Sequence, residues 1–285
     1  MRPHVFSQVA GAPATASPAP ASASAAPGAL RRAAAPPAIR TIGAVNVADL
    51  SLDEALACVG SHLRERRFLR IAFLNAHCAN VAAARPDYRA ALDGFLVLPD
   101  GLGVDIAARL LHGASFAANL NGTDFVPAIL SSAAAPLRVA LFGAAPGVAE
   151  AAAERLSQRF PGHAFLPVSH GYLPGEAERE AALARLEAAR ADLVLVAMGV
   201  PAQELFVLEH LTPRHGCVVL AVGAFLDFCA GRVRRAPRLV RTLRLEWIWR
   251  LALEPRRLFR RYVVGNPVFL ARILREAALR KVSSP

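Results

Sequence analysis

Apolar residues in this chain come in blocks whose period changes with position, and those changes delimit the elements. Arg40-Thr-Ile-Gly-Ala-Val45 predicts a short strand, and Ser51-Leu-Asp-Glu54 has the spacing of a capping box, which predicts a helix running to about Arg66. Leu69–Leu74 predicts a buried strand ending at Asn75. A helix over Ala76–Leu92, a strand over Phe95–Leu98 and the loop Pro99-Asp-Gly-Leu-Gly103 follow. Beyond a stretch with no assigned element, Leu137–Phe142 predicts a strand that turns through Gly143-Ala-Ala-Pro-Gly147 into a helix reaching Arg159. Strand His163–Val168, helix Glu176–Arg190 and strand Asp192–Met198 come next. The loop Gly199-Val-Pro-Ala-Gln-Glu204, one more helix, strand Cys217–Val222 and Gly223-Ala-Phe-Leu-Asp-Phe228 complete this part.

Strands alternating with helices predict an α/β fold, a Rossmann-like, doubly wound, mainly parallel sheet. Asp192–Met198 is apolar without interruption, as a strand covered on both faces must be. Ligands of such sheets collect at the carboxyl ends of the strands. Asn75, Asp100, Gly143–Gly147, Gly199–Gln203 and Gly223–Asp227 all fall there, which predicts a catalytic or nucleotide-binding crevice.

Charge divides the chain further. Of its 33 Lys and Arg residues, 15 follow Gly231, where only Glu246, Glu254 and Glu276 oppose them; the preceding 230 residues are nearly neutral. The cations accompany Val240, Leu243, Trp247 and Leu251 at helical steps, so the segment reads as a basic amphipathic appendage. It suits phosphate groups, whether of a nucleotide or of an anionic lipid surface. Three regions are expected: an Ala/Pro-rich disordered leader over 1–38, an α/β domain over 39–230 and the appendage over 231–285. The longest apolar stretches are too short to span a bilayer, and no secretory signal pattern opens the chain, so a cytoplasmic protein is expected. Cys58, Cys78, Cys217 and Cys229 have no paired or zinc-like spacing and read as reduced structural thiols. The His residues offer no metal pattern either.

Single motifs here are open to two readings. Gly143–Gly147 joins a strand to a helix and suits either a phosphate cradle or an unliganded turn. Asp100 in Pro-Asp-Gly is either a turn former or a catalytic carboxylate, and Asn75 and Gln203 are either caps or ligand contacts. A dinucleotide-dependent oxidoreductase would suit the sheet, but no Gly-x-Gly-x-x-Gly fingerprint is present. A nucleic-acid-binding protein would suit the charge, but the tail's Trp and Leu are spaced for helix packing and lipid.

Taken in order, the motifs are more specific. Asn75, Pro99-Asp-Gly101, Gly122-Thr-Asp124, Phe142-Gly143 and Gly199-Val-Pro-Ala-Gln203 are followed by Gly223–Phe228 and Gly231-x-Val-x-Arg-Ala-Pro237. Leu245-Glu-Trp-x-x-Arg250 and Glu254-Pro-Arg-Arg-x-x-Arg260-Arg-Tyr262 close the series. This arrangement, over residues 40 to 272, resembles the WecG/TagA/CpsF family of bacterial glycosyltransferases.

The resemblance implies inverting transfer of a sugar (ManNAc, ManNAcA or glucose type) from a UDP-sugar to a polyprenyl-diphosphate-linked glycan. It implies a metal-independent reaction without a cofactor, at the inner face of the plasma membrane, in synthesis of a surface or exopolysaccharide. By position, Asp100 resembles the general base. Asn75, Gly101, Thr123, Asp124, Gly143, Gly199, Gln203 and Asp227 are the expected substrate contacts, and Arg235, Arg250, Arg256 and Arg257 the expected diphosphate clamp. An anionic membrane surface is the expected partner, nucleic acid is not, and a homo-oligomer is compatible with the reading. Two departures bear on sugar or acceptor specificity: Phe73 stands where the family usually has Thr, and Asn119 where many members have Arg.

Overall fold

The computed structural model describes residues 37–242 and 245–283. Residues 1–36 of the expected leader, Leu243 and Arg244 lie outside the described residues, and so do the side chains of Arg238 and Arg241.

The sequence around Arg40 makes a hairpin rather than one strand. Strand β1 (Ala38–Ile42) turns at Gly43, whose φ of +60° suits a residue without Cβ, into antiparallel β2 (Val45–Asp49). Helix α1 (Leu52–Glu65) begins with the expected box: Ser51 accepts from the Glu54 amide, and the Glu54 carboxylate accepts from the Ser51 amide at 2.8 Å. Strand β3 (Leu69–Leu74) leads into α2 (Ala76–Ala84). Pro86 then ends what the apolar pattern had predicted as one helix and starts α3 (Pro86–Leu92), because proline suits a first helical turn and not an interior. Strand β4 (Leu96–Pro99) follows. The unassigned stretch holds two helices, α4 (Leu102–His112) and α5 (Gly122–Ser132).

The remaining α/β units are β5 (Arg138–Gly143), α6 (Val148–Arg159), β6 (Ala164–Ser169), α7 (Glu176–Ala188), β7 (Leu193–Ala197), α8 (Ala202–His210) and β8 (Val218–Ala221). Six strands form one parallel sheet in the order β4-β3-β8-β7-β5-β6. Alternate residues explain its two covered faces. Ile71, Val139, Leu141, Leu193, Leu195, Val218 and Leu220 face α1, α5 and α6. Ala72 and Leu74 face α2 to α4, whereas Ala140, Phe142, Val194 and Val196 face α7 and α8. Each large apolar side chain buried this way contributes roughly 1.5–3 kcal/mol. The doubly wound parallel sheet is the fold the alternation predicted.

After β8 the chain is helical: α9 (Phe225–Cys229), α10 (Arg238–Thr242), α11 (Glu246–Leu253), α12 (Pro255–Phe259), a π-helical turn over Arg260–Val264 and α13 (Gly265–Ser283). Phe269 and Ile273 of α13 are buried in one cluster with Val104, Ala107 and Ala108 of α4. This docking brings the π-helical turn and the start of α13 to the carboxyl edge of the sheet. Among the described residues no helix is long and apolar enough to cross a membrane.

Candidate active site

A cavity of about 740 Å³ opens over the carboxyl ends of all six parallel strands. Its floor is polar because two turns cross-link there. Asn75 caps α2, its Oδ1 accepting from the Cys78 amide at 3.1 Å, which aims its Nδ2 at Asp100 Oδ2, 3.0 Å away. The Asp100 amide donates to Leu74 O, and the Gly101 amide to Asn119 Oδ1 at 2.7 Å. The Asp100 carboxylate is thereby fixed by backbone and amide bonds, with one side open to the cavity. Burial raises its pKa above the usual carboxylate value, against the opposing pull of Asn75, Arg261 and Arg250.

The opposite wall comes from the appendage. Arg250, Arg257 and Arg261 line the cavity with Trp247 and Tyr262. Arg250 lies over the Phe228 ring, 5.4 Å from its centroid, and Arg261 over Tyr262 at the same distance. Among the described residues the buried Nε atoms of Arg250 and Arg261 have no acceptor. An unpaired buried guanidinium N–H costs free energy until an acceptor meets it, so these two groups can each donate to an anion entering the cavity. His77 also faces the cavity. Burial and the charge of Arg261 push its pKa down to about 4, so its imidazole is neutral near pH 7.

Of the residues singled out by sequence, Asn75, Asp100, Gly101, Thr123, Asp124, Gly199, Gln203, Asp227, Arg250 and Arg257 share this cavity. Burial raises the pKa of Asp227, opposed by Arg232, Arg257 and Arg250. Three do not belong to the lining. Gly143 has φ +113°, and a Cβ there would lie 2.4 Å from Ala197 O, so this glycine answers the close approach of β5 to β7, while Ala144 and Ala145 reach the cavity. Arg235 is paired with Asp124 and Glu246 and ties the appendage to the start of α5. Arg256 and Arg257 are both exposed, but only Arg257, which also holds Glu254, borders the cavity.

Gln203 lines the cavity but is 2% exposed, and its polar atoms are engaged. Its Oε1 accepts from the Gly199 and Gly223 amides at 3.2 and 3.1 Å, joining the loops after β7 and β8, while Nε2 donates to Glu204 Oε1 at 2.8 Å. It shapes the wall rather than presenting a free amide. His77 and Tyr172 (67% exposed at the cavity's edge) were not selected from sequence, and Arg261 was read only as one of the appendage's phosphate-seeking cations, outside the expected clamp. For Arg261 the signal was its place beside Tyr262 in the Arg-Arg-Tyr end of the last motif. The two departures lie here as well: Phe73 meets Phe125 edge-on at 6.5 Å under the cavity, and Asn119 positions the Asp100 turn.

A parallel α/β sheet with a carboxylate at one strand end and arginines facing it suits a group-transferring enzyme. Residues 40–283 match the model of the glycosyl transferase WecG/TagA/CpsF family. An N-acetylglucosaminyldiphosphoundecaprenol N-acetyl-beta-D-mannosaminyltransferase of Bacillus spizizenii (strain W23) is 31% identical over 79% of this chain and 88% of its own length. An enzyme of the same name from Bacillus subtilis (strain 168) is 30% identical over 75% of this chain and 82% of its own, and one from Staphylococcus aureus (strain MRSA252) is 35% identical over 51% and 54%. The chain belongs to the WecG/TagA/CpsF family and is a glycosyltransferase of cell-envelope polysaccharide synthesis.

Proposed function

We propose that the protein transfers a hexosyl group from a UDP-sugar to a polyprenyl-diphosphate-linked glycan, with inversion at the anomeric carbon. The observation that carries this reading is the pairing, in one cavity, of the anchored Asp100 carboxylate with Arg250, Arg257 and Arg261. The names of the relatives supply the acceptor class. Asp100 takes the proton from an acceptor hydroxyl as that oxygen bonds to the anomeric carbon. The bond from this carbon to the diphosphate breaks on the opposite face, its electron pair passing to the departing UDP. The guanidinium groups stabilise that charge as it develops. Tyr172 offers a ring for the uracil, and neutral His77 a hydrogen bond to a sugar hydroxyl or acetamido group.

The exposed Val263, Val264 and Val268 beside Arg260 and the apolar Phe259 support contact with an anionic bilayer at its cytoplasmic face. The test is UDP release and product formation with UDP-ManNAc, UDP-ManNAcA and UDP-glucose, each with a prenyl-diphosphate-linked N-acetylglucosamine. Transfer from one donor well above the others, lost in Asp100→Asn, supports the reading. Absence of transfer from all three, or full activity in Asp100→Asn, overturns it.

A further inference from the structure

One wall of the cavity is neither polar nor charged. Leu102 and Ile106 of α4 and Phe269 and Leu270 of α13 line it together. Both helices begin at the cavity and run away from it side by side in the same direction: Gly103 lies against Phe269, and eight residues further along α4 the Leu111 carbonyl accepts from Arg280. Their inner faces seal the seam through Val104, Ala107, Ala108 and Ile273. Beyond the cavity each helix continues with an exposed leucine. One turn beyond Ile106 lies Leu110 (41% exposed), and one turn beyond Leu270 lies Leu274 (50% exposed). Leu102, Ile106 and Leu110 recur every fourth residue, so this strip extends about 12 Å along the helix from the cavity.

We propose that the α4–α13 strip is the subsite for the first isoprenoid units of the acceptor's polyprenyl chain. This rests on the proposed acceptor class, and the argument is one of continuity. In a prenyl-diphosphate the chain is esterified directly to the phosphate. With the acceptor hydroxyl at Asp100, directly before α4, the acceptor's own diphosphate and the apolar carbon esterified to it follow one sugar away, at the cavity and before any membrane is reached. The only neighbours there that gain by covering it are apolar side chains, and Leu102, Ile106, Phe269 and Leu270 supply them. Exposed leucines continuing outward on both helices give the next units a surface that water otherwise wets. The strip thus distinguishes a lipid-linked acceptor from a free nucleotide, which shares the diphosphate and lacks the chain.

The experiment compares binding of farnesyl diphosphate and methyl diphosphate to the full chain by calorimetry, without vesicles and below micelle-forming concentrations. The wild type is expected to prefer the farnesyl compound by about tenfold or more. Leu110→Ser combined with Leu274→Ser is expected to remove most of that preference and to leave methyl diphosphate affinity unchanged. Both side chains are exposed, so an unchanged melting temperature is expected to accompany the loss. Equal affinity of the two ligands for the wild type would overturn the subsite. So would a preference that survives in the double variant, whether that variant loses only vesicle binding, which marks a bilayer contact, or only self-association, which marks a face between copies. Because the readout needs neither donor nor turnover, failure of the transfer reaction itself would appear separately, in the UDP-release assay.

Discussion

The two walls of the cavity are built on opposite plans. On the sheet side the key polar groups hold one another: Asn75 holds Asp100, Asn119 holds the next amide, and Gln203 joins two loops. On the appendage side, guanidinium groups meet aromatic rings and keep buried N–H groups without acceptors. The first plan fixes a reacting group in place without a ligand; the second leaves favourable interactions to be made only when an anion arrives. An enzyme expelling a diphosphate needs both, since the base must be positioned early and the charge appears late.

Substitutions should separate the plans. Asp100→Asn keeps the hydrogen-bonding shape and removes the base, so kcat should fall about 10²–10⁴-fold. Gly143→Ala attacks the sheet side through the backbone: the left-handed φ and the collision with Ala197 should cost about 3 kcal/mol of stability, read by urea unfolding. Gly101→Ala, where the added Cβ meets nothing within 4 Å, should cost only the strain of φ +91°, about 1–2 kcal/mol.

Glu204, behind Gln203, tests the interior of the same wall. Burial raises its pKa from 4.5 to about 7. The folded state therefore holds the proton more tightly than the unfolded state does, and stability is lost as pH rises from about 4.5 through 7. Glu204→Gln should accordingly gain up to roughly 3 kcal/mol over the wild type at pH 8. That advantage should vanish below pH 4.5, and a difference independent of pH would show that folding leaves the carboxyl's pKa unshifted.

On the appendage side, Arg250→Ala or Arg261→Ala should each lower kcat/KM roughly 10–100-fold, the range of one charged hydrogen bond. Arg235→Ala removes a partly exposed ion pair and should change mainly stability, by about 1 kcal/mol.

The sequence made the sheet legible because strands buried on both faces cannot hide their apolar runs, and Asp192–Met198 marks β7 almost to the residue. It made the floor legible because Asn75 and Asp100 sit where strands end. It did not reveal the strand order, which depends on contacts between distant segments, nor α4, which starts after Gly101 with no side-chain cap, nor α5, which carries Pro127 in its interior. Partner choice was the harder matter. Gly143 has the spacing of a phosphate turn and is required by a neighbouring strand, a reason no local pattern contains. Arg235 and Arg261 are alike as letters; only the tertiary fold places Asp124 and Glu246 beside the first and an open cavity beside the second.

Calorimetric titration of UDP into Asp100→Asn and into Arg250→Ala/Arg261→Ala tests the division of labour most directly. Affinity within about threefold of wild type for the first, and weakened about 100-fold or more for the second, is the predicted result. Undiminished UDP binding by the double arginine variant would contradict the assignment of that wall to the diphosphate.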